Sequence, residues 1–281
     1  MLSYRHAFHA GNHADVLKHA VISRIVLALT QKEKPFSYID THSGAGLYEL
    51  DAEWAQKTGE AAGGILTLLD RTDIPDLMLP YIEICRDLYS DGHKYPGSPE
   101  IVRALSRNDD QLTLMELHPA EIEILRTNFS GDGRIHIHHR DGYAGISSLC
   151  PPEPRRGFAL IDPSYETVDD YVKTARTMLA VHRRWPVGML VLWYPLLARR
   201  IDEIRALKEK MCASGIQGIL CAELYLEEIT EETPEFGLVG SGMLIVQPPW
   251  KLDEELGVIL PYLARTLGKG RTNIEWLTAA P

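Results

Sequence analysis

The sequence predicts an α/β fold, a mostly parallel sheet with helices on both faces and a small helical insertion. Three observations predict it. Short apolar runs ending in an acidic residue alternate with segments of helical spacing. The first such run, Phe36-Ser37-Tyr38-Ile39, ends in Asp40 and opens into Thr41-His42-Ser43-Gly44-Ala45-Gly46, a glycine loop of the kind that begins a nucleotide-binding unit. The chain has 281 residues, 45% apolar and 24% charged, which suits one large domain and excludes disorder, coiled coil and collagen-like repeats.

The elements follow in order. Residues 12–31 are predicted helical, because Leu17, Ala20, Val21, Ile25, Ala28 and Leu29 recur at helical spacing behind Asn12, a good N-cap. Lys34-Pro35 stops that helix, and the strand into Asp40 follows. The next strand, Leu112 to Met115 into Glu116, is about 70 residues on, where one crossover needs about 30. Residues 48–97 are therefore predicted as a helical insertion within a single domain covering 1–281. Leu77, Tyr81, Ile84, Cys85 and Leu88 carry helical spacing between Pro75 and Gly92. Further strands are predicted at Ile135–His138 before Asp141-Gly142, at Phe158–Ile161 before Asp162-Pro163-Ser164-Tyr165, at Gly188–Trp193, and at 216–226 and 242–247. Helices are predicted over 169–182, 198–213 and 253–267. Gln247-Pro248-Pro249-Trp250 ends a late antiparallel strand.

The formal net charge is −10, which argues against a phosphate-binding protein as a whole. The charge is uneven: 47–98 and 220–240 each carry −6, leaving +2 for the rest, so a locally basic surface is compatible with the total. No window approaches 18 uncharged apolar residues, the start has no apolar signal core, and Cys85, Cys150, Cys212 and Cys221 form no CxxC pair. A cytoplasmic protein with reduced thiols and no membrane partner is expected.

Four strands end in an acid: Asp40, Glu116, Asp141 and Asp162. Ligands in open α/β sheets sit outside the carboxyl ends of the strands, and carboxylates there accept from ribose hydroxyls and amines. No P-loop lysine follows the glycines, and Glu49 stands where a dinucleotide fingerprint needs its third glycine. Phosphate cradling and nicotinamide chemistry are disfavoured. His6, His9 and His13, and His136, His138 and His139, lack the context of a strong metal site, so no metal is expected.

Asp162-Pro163-Ser164-Tyr165 resembles the [D/N/S]-P-P-[Y/F/W] motif of amino-methyltransferases that use S-adenosylmethionine. The motif has a physical basis. The exocyclic amine of adenine is conjugated into its ring, and an acid plus a proline carbonyl accept from its N–H groups and align the nitrogen with the methyl donor. The following aromatic stacks on the base, worth about 1–3 kcal/mol.

The resemblance extends along the whole chain. MLSYRHAFHAGNHADVLKH, DTHSGAG, YPGSP, ELHP, DG, IDPSY, WYP and SGMLIVQPPWKL resemble the bacterial 23S rRNA adenine-N6 methyltransferase J family, named for adenine-2030. This implies a Rossmann-like fold, S-adenosylmethionine as cofactor, 23S rRNA as partner and no obligate protein partner. It also implies His19, His42, Ser98, Glu116, Asp141, Gly142 and Asp162 as cofactor contacts, with Glu116 on the ribose and Asp141 on the adenine amine. Asp162, Pro163 and Tyr165 are the implied catalytic group, and Tyr4, His6 and Lys18 lie on the substrate side. Ser164 replaces the family's second proline, while Pro163, which supplies the carbonyl, is kept. The alternative is a nucleic-acid-binding factor in uptake or catabolism of external DNA, without methyl transfer.

Overall fold

The computed structural model describes residues 5–227, 238–268 and 270–280. In chain order the elements are α1 (His13–Thr30), β1 (Ser37–Asp40), β2 (Leu47–Glu49), α2 (Glu53–Thr58), α3 (Leu66–Leu69), α4 (Leu79–Ser90), β3 (Lys94–Pro96), α5 (Ser98–Leu105), β4 (Gln111–Glu116) and α6 (Pro119–Asn128). They continue with β5 (Ile135–His139), α7 (Gly142–Leu149), β6 (Gly157–Ile161), α8 (Asp169–Arg184), β7 (Met189–Leu197), α9 (Ile201–Cys212), β8 (Ile219–Tyr225), β9 (Leu238–Val246), α10 (Leu252–Leu267) and β10 (Thr272–Trp276). Among the described residues, no helix is long and apolar enough to cross a membrane.

Eight strands form one sheet in the order β10-β8-β9-β7-β6-β1-β4-β5. Strands β7, β6, β1, β4 and β5 run parallel. Strand β9 is antiparallel to both β7 and β8, and β10 is antiparallel to β8. The chain order reverses at β1, which has β4 on one side and β6 on the other. That reversal places a binding crevice at the carboxyl edge of the central strands. One apolar layer packs α1, α4 and α10 on the sheet, and a second packs α7, α8 and α9 on the opposite face.

Helix α1 starts where Asn12 Oδ1 accepts from the amides of Ala14 and Asp15, each at 3.0 Å. Val16, Leu17, Val21, Ile22, Ile25 and Val26 are all fully buried. A helix enclosed on nearly every side belongs in the core rather than over it. That seating lets α1 carry polar residues into the site. Asp110 ties the starts of β1 and β4: its Oδ1 accepts from the Phe36 amide at 2.9 Å, and Arg107 grips both its oxygens.

The 48–97 segment is not wholly helical. Strands β2 and β3 close it as an antiparallel ladder, Leu47 opposite Pro96, Tyr48 opposite Tyr95 and Glu49 opposite Lys94. Three residues per strand, one of them proline, give no readable alternation. Strand β7 also runs past Trp193 to Leu197. Its pairing with β6 stops at Leu192, and beyond that only β9 holds it, so Pro195 is tolerated without an N–H. The late elements shift similarly: α9 begins at Ile201 after a short 3-10 turn, β8 spans 219–225, and β9 begins at Leu238. Strand β10 and helices α5, α6 and α7 are additions to the predicted set. Gln247-Pro248-Pro249-Trp250 follows β9 at the edge away from Asp162, with Trp250 83% exposed.

Candidate active site

Three of the four acidic strand ends meet at one cavity of about 940 Å3 on the carboxyl edge, lined by Glu116, Asp141 and Asp162 together with His19, His42 and Ser98. The fourth, Asp40, is fully buried beneath the wall. Its Oδ2 accepts from Tyr38 at 2.5 Å and Ser98 at 2.7 Å, and its Oδ1 from the His42 amide at 3.1 Å. Burial raises its pKa to about 6, against the lowering effect of those donors. Asp40 therefore anchors two cavity residues without facing the cavity itself.

Glu116 ties the glycine loop. Its Oε2 accepts from the Gly44 amide at 2.8 Å and its Oε1 from the His118 amide at 2.6 Å. Gly44 has φ +57, and a Cβ there would meet the Tyr48 hydroxyl at 2.1 Å. Asp141 caps α7, accepting from the Ala144 amide at 2.8 Å, with its Oδ2 3.6 Å from Lys173 Nζ. Lys173 in turn lies 4.1 Å over the Tyr143 ring. Gly142 must be glycine, since a Cβ would stand 2.0 Å from the Thr41 carbonyl.

Lys18 occupies a place its sequence position did not reveal. Its Nζ bonds Asp162 Oδ2 at 2.6 Å and pairs with Asp15 Oδ1 at 2.9 Å. Burial disfavours the ammonium, yet the two carboxylates raise its pKa. His6 reaches the same cluster, Nε2 to Asp15 Oδ2 at 2.9 Å. Burial would protonate Asp15, but His6 and Lys18 hold its pKa well below the usual range. Tyr4 lies outside the described residues. Burial brings the His42 pKa to about 4 and that of His19 to about 3, so both rings are neutral at pH 7.

Pro163, Ser164 and Tyr165 follow Asp162 along the cavity wall. Tyr165 takes φ +51, a costly conformation for a bulky residue. Its hydroxyl donates to the Trp193 carbonyl at 3.0 Å and its ring centroid lies 4.6 Å from that of Tyr171. Trp193, Pro195 and Arg199 also line the cavity. The segment WYP marked Trp193 and Pro195 in the sequence without assigning them a position in the site, and no sequence signal marked Arg199. Of the N-terminal histidines, His6 bonds Asp15 and His9 bonds Glu60 at 2.8 Å, while His13 Nε2 is buried without a hydrogen-bond partner.

Every residue implied as a cofactor contact thus faces this cavity: His19, His42, Ser98, Glu116, Asp141, Gly142 and Asp162. Several buried polar atoms of its lining have no hydrogen-bond partner, among them Ser43 Oγ, His19 Nε2, His13 Nε2 and Trp193 Nε1. Unpartnered buried groups of that kind mark where a polar ligand completes a site.

The family described as "Ribosomal RNA large subunit methyltransferase D, RlmJ" matches residues 33–278. The chain belongs to this methyltransferase family. "Ribosomal RNA large subunit methyltransferase J" of Escherichia coli (strain K12) is 40% identical over 282 residues, covering 99% of both chains. The protein of the same name from Haemophilus influenzae is 40% identical over 284 residues, again covering 99% of each. A crystal structure of a Legionella pneumophila protein superposes with a TM-score of 0.87 at 32% identity, covering 95% of this chain and 98% of that one. The Rossmann-like methyltransferase fold accounts for the parallel half of the sheet.

Proposed function

We propose that this methyltransferase methylates the N6 amine of one adenine in 23S rRNA, of the adenine-2030 type. The methyl donor is S-adenosylmethionine, whose sulfonium supplies an activated methyl group. The residues present fit it: Glu116 would hold the ribose diol and Asp141 the adenine amine, with the unpartnered Ser43 and His19 atoms left for its remaining polar groups.

One observation carries the reading: Asp162, at the end of β6, has Oδ2 fixed by Lys18 at 2.6 Å. Its other oxygen is then the one presented to an incoming amine. The Pro163 carbonyl supplies the second acceptor. Two acceptors on two N–H groups hold the nitrogen's lone pair in one direction, and such positioning supplies much of the rate in a transfer reaction. Tyr165 forms the wall against which the base packs. An amine paired within a duplex is out of reach, so the adenine enters unpaired or flipped.

Mass-spectrometric mapping of N6-methyladenine in 23S rRNA from a deletion strain tests this. One methylated adenine should be lost and be restored by the wild-type chain but not by Asp162→Ala. Binding of nucleic acid with no methyl transfer from any rRNA substrate would favour the external-DNA reading instead.

A further inference from the structure

His19 is bonded through one ring nitrogen and not the other. Its Nδ1 lies 2.6 Å from the Tyr95 hydroxyl, which lies 3.0 Å from the Tyr81 hydroxyl. Its Nε2 is buried without a partner, on a residue that lines the cavity. None of the three side chains is more than 1% exposed. The Tyr95 ring stacks on His19 at 5.5 Å and the Tyr81 ring meets it edge-on at 6.0 Å. Tyr81 comes from α4 and Tyr95 from β3, so both belong to the 48–97 segment.

The short bond has a direction. A phenol is a stronger acid than a neutral imidazole N–H, and an imidazole nitrogen is a stronger base than a phenol oxygen. Tyr95 therefore donates to Nδ1. Burial keeps the imidazole neutral, so its single hydrogen sits on Nε2. That atom becomes a donor in need of an acceptor. Glu116 and Asp141 are acceptors, suited to the hydroxyls and amine of a nucleoside. An N–H donor suits the opposite chemistry, a carboxylate.

We propose that Tyr95, supported by Tyr81, is a positioning residue that fixes His19 as an Nε2–H donor to the carboxylate of the cofactor's amino-acid tail. The 48–97 segment is then part of the cofactor site and not an appendage. This rests on the reading of the cavity as the S-adenosylmethionine site.

Two measurements on the full chain test it. Nitrogen-15 spectra of histidine-labelled protein, free of ligand, report the tautomer, with the His19 signal assigned by its loss in His19→Gln. The wild type should show Nε2–H, and Tyr95→Phe should lose that preference. Calorimetry then compares S-adenosylhomocysteine with 5′-methylthioadenosine, which lacks the amino-acid tail. Tyr95→Phe should weaken the first about tenfold, the worth of one hydrogen bond to a charged group, and leave the second unchanged. Tyr81→Phe should give a smaller effect of the same kind, and serves if Tyr95→Phe does not fold. An Nδ1–H tautomer in the wild type, or equal weakening of both nucleosides, overturns the proposal. If His19→Gln weakens S-adenosylhomocysteine and Tyr95→Phe does not, only the positioning role fails. If His19→Gln has no effect on either nucleoside, the cofactor reading of this wall fails with it.

Discussion

Lys18 Nζ lies 2.6 Å from Asp162 Oδ2, joining the central helix to the end of β6 across 144 residues of sequence. The same ammonium pairs with Asp15, one helical turn earlier, and Asp15 is fully buried. The arrangement is a cation between two acids, closed at its far end by His6. It fixes one oxygen of Asp162 at the cavity wall, and charge-assisted bonds of this kind are the strong ones.

Replacing the two partners should have unlike effects. Asp162→Ala should abolish methyl transfer and leave the fold intact, because Lys18 keeps Asp15. Lys18→Met should abolish transfer and also destabilise, since it strands two carboxylates, one of them fully buried. Breaking such a buried pair costs about 3–5 kcal/mol. Urea unfolding alongside transfer assays on rRNA separates the two. A Lys18→Met protein as stable as the wild type would show that the pair contributes nothing to the fold.

Glu116 is expected to act on the cofactor and on the loop together. Glu116→Ala should weaken S-adenosylhomocysteine binding by about tenfold or more, because a ribose acceptor and the ties to Gly44 and His118 vanish at once. Glu116→Gln keeps one acceptor oxygen and should lose less. Calorimetry giving equal affinities for wild type and both variants would remove Glu116 from the site.

The strand ends were legible because chemistry and topology coincide there: Glu116 and Asp162 each close an apolar run, Asp141 follows β5 by two residues, and all three reach the cavity. Asp40 has the same signature and a different job, since burial below Ser98 and His42 is a tertiary fact. The Lys18–Asp162 bond was illegible for the same reason. Position 18 is visible in the sequence as a polar residue of an apolar helix, but its partner depends on how α1 lies across the sheet. The small ladder of β2 and β3 was hidden by brevity and by Pro96, and β7 past Trp193 by Pro195.

Acid should unfold the protein steeply. Burial lowers the pKa of His13 and His42 to about 4 and of His19 to about 3, from an ordinary 6.5. Lowered values contribute stability that is complete above the unfolded 6.5 and lost as pH falls toward the folded values. Asp40 acts oppositely: raised by burial from 3.8 to about 6, it contributes stability below 3.8 that is lost as pH rises through 6. Near pH 5 the unfolded chain thus binds up to three more histidine protons and one fewer at Asp40. The net is about two protons, a slope of about 2.7 kcal/mol per pH unit, with stability rising with pH. His19→Asn should lower that slope by about 1.4 kcal/mol per unit. Urea unfolding at several values between pH 4.5 and 6 measures it, and an unchanged slope would mean that His19 is not held neutral.

Ser164 is the one departure from the family's catalytic motif, and the structure says what a proline would meet there. Ser164 is exposed, between buried Pro163 and buried Tyr165. No backbone hydrogen bond from its amide occurs among the described turns and loops, so removing the N–H costs nothing there. Proline presets φ near −65° and narrows the unfolded ensemble, which stabilises by about 0.4–1 kcal/mol where the geometry is compatible. Proline also restricts the residue before it, and that residue is Pro163, already extended by preference. Ser164→Pro should therefore keep or raise methyl transfer and raise the melting temperature slightly. The strained Tyr165 is the point of risk, because its φ of +51 and its hydroxyl bond to the Trp193 carbonyl depend on how the turn delivers it. If Ser164→Pro loses both stability and transfer, the serine is shaping the Tyr165 wall, and the size of the base that this wall accepts becomes the next quantity to measure.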